Sequence, residues 1–231
     1  MTTTTAQNVL SGFDVAFDRP LDRAAWPEII ALRRLGAEFH RRGWSVGTSS
    51  NYSVVLHRNP LQLVVTASGK DKSRLSADDF VIVDSCGQPI GEHHPKPSAE
   101  TMLHASLAEL LPDVGSILHT HSVWATILSD RFGHAGGFTL TGYEMLKGLA
   151  GVATHEHEEH IAVVENTQDI PQLAAAIAER IKANDPVFRH GYLIRRHGLY
   201  TWGRDVDEAY RHVEIFEFLF EVLGRSLSMP D

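Results

Sequence analysis

Apolar and polar positions follow two different periods along this chain. Ile29, Ile30, Leu32, Leu35 and Phe39 recur at helical spacing, which predicts a helix from near Asp22 to Gly43 with Pro27 in its first turns. The runs SVVLHR and QLVVTAS flank Asn59-Pro60 and predict two paired strands around a turn. Residues 80–84 predict a short strand ended by a turn at Gly87. Residues 98–110 predict a helix with Ser98 as N-cap. Residues 114–119 read as a buried strand and 123–130 as a helix. GHAGGFTLTG reads as loop and YEMLKGL as a short helical piece. Residues 160–164 predict a strand and 169–183 an Ala-rich helix. Residues 191–194 and 198–202 predict extended segments. Residues 205–223 predict a long closing helix with Val213, Phe216, Leu219 and Phe220 inside. Strands and helices alternate throughout, the pattern of an α/β fold. One domain is expected over 21–231, after a flexible N-terminal segment of 1–20.

Composition narrows the class. The 231 residues carry a formal charge of −8, one Cys, 43% hydrophobic and 22% charged residues, as an ordinary globular domain does. The acidic balance argues against a nucleic-acid partner, whose phosphates call for clustered basic side chains. No apolar run is long enough to span a membrane. The opening MTTTTAQNVLSGFDVAFDRP has neither the basic nor the apolar stretch of a signal peptide, and a cytoplasmic protein is expected. A lone Cys86 excludes an internal disulfide and a CxxC metal clip. Fourteen His are more than such a chain ordinarily carries, which prompts a search for metal ligands.

ILHTHS is the first candidate. On a strand, residues i and i+2 share a face, so His119 and His121 would stand side by side with Thr120 turned away. Two neutral imidazoles plus a third ligand and one open position make a catalytic site for a borderline-soft divalent ion. An isolated HxH is equally two partly exposed histidines at a strand end. The third ligand has several candidates: His197 in RRHGLYTWG, His104 in a helix, His155, His157 and His160 in THEHEEH, and His93 and His94 in GEHHPKP. The last two segments are polar enough to be solvated loops.

Two turns, GTSSNYS and TASGKDKSRL, offer backbone N–H groups and hydroxyls to an anion, with Lys70 and Lys72 adding charge. Neither is a nucleotide fingerprint. Two carboxylates suit proton transfer, Glu100 in KPSAETMLH and Glu144 in GYEMLKG. Either is equally a helix-terminus or solvated residue.

Taken in order, GTSSN, TASGKDK, KPSAE, HTH, GYEMLKGL and HGLYTWG resemble the class II aldolase/adducin family, over roughly residues 34–220. YEMLKGL followed by Glu165, Asn166, Gln168 and Asp169 is similar to its dehydratase branch. The resemblance implies a single-domain, three-layer α/β/α fold with a central, mainly antiparallel sheet. It implies one Zn2+ per subunit on His119, His121 and His197, and Glu144 as the acid/base residue. Glu100, which matches the acid/base residue of the aldolases, is the alternative. Asn51, Ser68, Gly69 and Ser98 are implied to lie near a substrate phosphate. The implied activity is dehydration of a small phosphorylated ketose, 5-methylthioribulose 1-phosphate, in methionine salvage, by a homotetramer. The same zinc site serves sugar-phosphate aldolases, and the fold also occurs in non-catalytic adducin-like binding modules. The chain departs from the aldolases at Ala99, where they often carry a second Ser, and it lacks the Cys that some dehydratases place nearby.

Overall fold

The computed structural model describes residues 25–229 apart from His93. The expected flexible segment 1–20, the start of the first helix near Asp22 and the candidate His93 therefore lie outside the described residues. Helix α1 (Trp26–Arg41) buries Ile29, Leu32, Leu35, Gly36 and Phe39, the stripe that the apolar spacing predicts. Strands β1 (Asn51–Arg58) and β2 (Leu61–Thr66) pair antiparallel, and β3 (Phe80–Val83) adds to β2.

Helix α2 (Thr101–Leu110) begins later than Ser98. A bridge between Ala67 and Pro97 holds the preceding chain extended, and Ser98 Oγ closes a turn onto Glu100 N at 3.3 Å. Ser98 is thus turned toward the site rather than capping the helix. Strand β4 (Ser116–Thr120) and helix α3 (Val123–Phe132) follow, with Ser122 capping α3 through Ala125 N.

The segment GHAGGFTLTG is not all loop, because β5 (Gly137–Leu140) lies within it. A side chain on Gly137 would meet Ile161 O at 2.2 Å, so glycine here permits close strand approach as well as a turn. YEMLKGL forms a 3-10 turn over Glu144–Gly148. Strand β6 (Glu159–Val164), helix α4 (Ile170–Lys182), strands β7 (Gly191–Ile194) and β8 (Gly198–Gly203), and helix α5 (Val206–Ser226) complete the chain. Asp169 and Asp205 cap α4 and α5 by accepting from Gln172 N and Glu208 N.

The strands form one eight-stranded sheet in the order β3-β2-β1-β4-β8-β7-β6-β5. Its pairings are antiparallel except for β6 with β7. Leu103, Leu107, Leu173 and Ile177 of α2 and α4 pack on one face. Helices α1, α3 and α5 cover the other with Leu32, Phe39, Leu128, Val213 and Phe220. This is the expected three-layer α/β/α arrangement with a mainly antiparallel centre. Among the described residues no helix is long and apolar enough to cross a membrane.

The register sets the site. In the centre of the sheet, Asn51 of β1, His119 of β4 and Tyr200 of β8 stand in one row. Where β8 begins, a Cβ on Gly198 would sit 2.0 Å from Thr120 O and 3.2 Å from the ring of His119. Gly198→Ala should therefore force β8 off β4, costing about 1–3 kcal/mol and lowering the thermal unfolding midpoint by several degrees. A variant as stable as its parent would show that this strand spacing is not fixed by the missing side chain.

Candidate metal centre

Each candidate ligand reaches the site by a different route. His119 is fully buried near the end of β4, and its side chain shares the sheet face of Ile117, toward α2. His121 lies just past the strand, with its N–H bonded to Trp44 O at 2.8 Å. His197 sits in the tight β7–β8 turn, after Arg196 in the left-handed region at φ 55. That turn is held from behind by α3, through Ser129 Oγ to Arg196 N at 3.0 Å and Thr126 Oγ1 to His197 O at 3.3 Å.

The three rings converge. His119 Nε2 lies 2.8 Å from His121 Nε2 and 3.3 Å from His197 Nε2. Two nitrogens on a tetrahedral ion at about 2.0–2.1 Å would stand about 3.3 Å apart, so the spacing suits a metal. The tautomer suits it too. His119 Nδ1–H donates to Leu199 O at 2.9 Å, which leaves its Nε2 lone pair facing the other rings. Tyr200 stacks on the His119 ring at 4.1 Å. Burial, and then the neighbouring imidazoles, hold His119 well below its ordinary value and His121 down to about 2. Imidazole nitrogens crowded together with lone pairs facing inward are what a divalent cation requires. Among the described residues His119, His121 and His197 form the group that could hold a metal ion.

Glu100 faces this triangle. Its carboxylate oxygens lie 3.4 Å from His119 Nε2 and 3.3 Å from His197 Nε2. It is oriented by a chain that spacing could not reveal. Ser53 Oγ–H donates to His104 Nδ1 at 2.8 Å, and His104 Nε2–H donates to Asn51 Oδ1. Asn51 Nδ2 donates in turn to Glu100 Oε2 at 2.8 Å and to Ser98 Oγ at 3.2 Å. Burial lowers His104 to about 4, which keeps the neutral ring this relay needs. His104 therefore orients the site from behind instead of joining the three ligand candidates.

A cleft of about 310 Å³ opens over the group. Asn51, Ser68, Gly69 and Ser98 line it together with Glu100, His121 and His197. Asn166, Thr167 and Gln168 line it as well. Asn166 and Gln168 belong to the segment that marked the dehydratase resemblance, yet nothing in their spacing assigns them to a wall of the cleft.

Glu144 stands outside this cleft. It is 69% exposed, paired with Lys147 at 2.8 Å and in contact with His155 at 3.2 Å, and chiefly the Lys147 ammonium lowers its carboxyl below the usual range. THEHEEH is divided among three tasks. His155 meets Glu144, His160 meets Thr139 at 2.8 Å, and His157 meets Glu159 at 2.8 Å. Buried Glu159 also holds His190, which binds Ala150 O at 2.8 Å. The segment is a structural clasp. His94 is exposed, with a contact to Pro95 O.

Known proteins give the same frame. The family described as class II aldolase and adducin N-terminal domain matches residues 30–223. A methylthioribulose-1-phosphate dehydratase of Marinobacter nauticus is 45% identical over 80% of this chain and 87% of its own. One from Pseudomonas aeruginosa is 44% identical over 84% and 92%, and one from Sorangium cellulosum 42% identical over 84% and 88%. Among solved structures, YgbL of Klebsiella pneumoniae superposes with a TM-score of 0.71 at 22% identity, over 86% of this chain and 89% of its own. An l-fuculose-1-phosphate aldolase of Thermus thermophilus does so with 0.67 at 22% identity, over 88% and 97%. These two likenesses speak to the fold alone.

The buried imidazoles make the metal-free protein acid-sensitive. As pH falls below 6.5 the unfolded chain binds protons that His104 and His212 refuse until about 4. Each such group removes about 1.4 kcal/mol of stability per pH unit in that window. His119 and His121 act in the same direction. Glu217, raised to about 7 by burial, opposes them, since its protonated form suits the fold. The urea midpoint of chelator-treated protein should thus be lower at pH 5 than at pH 7.5. An unchanged or higher midpoint would mean that these rings are not held neutral.

Proposed function

The chain belongs to the class II aldolase and adducin family, and we propose that it dehydrates 5-methylthioribulose 1-phosphate to 2,3-diketo-5-methylthiopentyl 1-phosphate, a step of methionine salvage in the cytoplasm. The observation that carries this reading is the Glu100 carboxylate held 3.3–3.4 Å from two nitrogens of the imidazole triangle, on the wall of a cleft rich in hydroxyls. The names of the relatives that are 42–45% identical support the substrate.

His119, His121 and His197 would hold one Zn2+ per subunit. When bound, the ion supplies Lewis acidity toward the oxygens of the ketose and eases loss of the proton at C3. Ser68, Gly69 and Ser98 bind the phosphate end, and Asn51 beside them orients Ser98. Ser98 Oγ already accepts from Asn51 Nδ2 and Glu100 N, so its own O–H remains to donate to a phosphate oxygen. Binding there fixes the sugar relative to Glu100. Glu100 takes the proton from C3 and returns it to the C4 hydroxyl as the C4–O bond breaks. One water leaves, and the resulting enol tautomerises to the diketone.

A second reading gives the proton transfer to Glu144. It is favoured by the surface around that residue, because Met145, Val123 and Phe218 are large apolar side chains left exposed on the protomer. In the homotetramer that we also propose, burial of this surface would carry Glu144 to a neighbouring cleft.

The test is turnover on 5-methylthioribulose 1-phosphate, followed by release of the diketone, with and without a chelator. Chelation should abolish dehydration and added Zn2+ restore it. A retro-aldol fragment in place of the diketone would make the protein an aldolase. Absence of both products from metal-loaded protein would favour a binding module. Glu100→Gln should lose about 10²–10⁴-fold in kcat, as removal of a general acid/base does. If Glu144→Gln suffers that loss while Glu100→Gln does not, the second reading holds.

A further inference from the structure

The two lysines of TASGKDK part company in the fold. Lys70 reaches Asp79 at 2.8 Å at the surface. Lys72 is 1% exposed, and its Nζ donates to Lys70 O at 2.7 Å. Among the described residues its ammonium makes no ion pair within 4.0 Å. The nearby acids are engaged elsewhere, Asp71 with Ser73 and Arg74, and Asp79 with Ser76 and Lys70. Helix α1 seals the segment from outside, for a Cβ on Gly36 would lie 2.7 Å from Lys72 O. An ammonium has three N–H donors, and a buried one lacking an anion is costly.

The missing anion has an evident place. Lys70 O, which Nζ grips, follows directly on Ser68 and Gly69, and those two residues line the cleft. The lining itself contains no Lys or Arg and one carboxylate, Glu100. A phosphate there would meet hydroxyls and backbone N–H groups but no charged side chain of opposite sign.

We propose that Lys72 is the fixed counter-charge of the cleft's anion end, a positioning residue that holds a ligand phosphate on the Ser68-Gly69 turn from behind. This rests on the proposed function only in taking the ligand to be phosphorylated. Burial lowers the ammonium to about 8, while the charges of Asp71 and Asp79 sustain it.

The test uses the metal-loaded chain and Lys72→Met, which keeps the length and removes the charge. Inorganic phosphate is titrated by calorimetry, and kinetics are run on the phosphorylated ketose. Phosphate affinity should fall on the order of ten- to a hundredfold, the scale of one unit charge about 6–12 Å away at an effective dielectric of about 20. KM should rise by a similar factor, with a smaller change in kcat. The unfolding midpoint should stay level or rise, because a buried unpaired charge has been removed. Lys72→Gln, which keeps a donor for Lys70 O, should show the same loss of affinity and serves if the Met variant does not fold. Unchanged phosphate affinity in the variants would overturn the proposal, especially with a lowered midpoint, which would mark Lys72 as structural. Absence of saturable phosphate binding by the parent would overturn it as well. Because inorganic phosphate is the probe, failure of dehydration on the ketose would leave this result standing, and the reverse also holds.

Discussion

Three imidazole nitrogens are forced together at the end of β4, in a place where they face only one another and the Glu100 carboxylate. Much of the fold bears on that arrangement. β8 must lie close enough to β4 for Leu199 O to accept from His119 Nδ1, and glycine at 198 permits it. The β7–β8 turn must bend through a left-handed Arg196 to aim His197, and α3 braces it with Ser129 and Thr126. Strain at Arg196 beside the converging rings is the kind of local cost that persists where the surroundings over-determine a backbone.

The same face of the sheet builds the electrostatics of the cleft. Ser53, His104 and Asn51 form a buried relay that ends on Glu100 and Ser98. One chain of hydrogen bonds thereby orients the carboxylate beside the imidazoles and a hydroxyl at the anion end. Negative charge sits next to the triangle, and positive charge is buried behind the Ser68-Gly69 turn. A ligand with an anionic end and a polarisable carbonyl would be aligned by that separation alone.

Much of this was legible in the chain because its signals are local. The stripe of α1, the hairpin at Asn59-Pro60 and the i, i+2 geometry of His119 and His121 each follow from a short-range period. β5 was hidden because glycines that permit strand contact look like those that make loops. Ser98 was misread as a cap because a tertiary bridge at Pro97, not local propensity, sets where α2 begins. His104 could not be told from a ligand, since its partners Ser53 and Asn51 lie across the sheet. The split of Lys70 from Lys72 depends on where α1 packs. Polar residues of THEHEEH suggested a solvated loop, whereas His157 and Glu159 turn inward to close a clasp on His190.

The central claim is that His119, His121 and His197 bind one divalent metal together. X-ray absorption at the metal edge of the purified protein, with metal content measured on the same sample, reads this most directly. The account predicts about one zinc per chain, with imidazole nitrogens at about 2.0–2.1 Å and the remaining position filled by oxygen. A stoichiometric metal without imidazole scattering, or zinc retained unchanged in a His119→Ala, His197→Ala double variant, would contradict it.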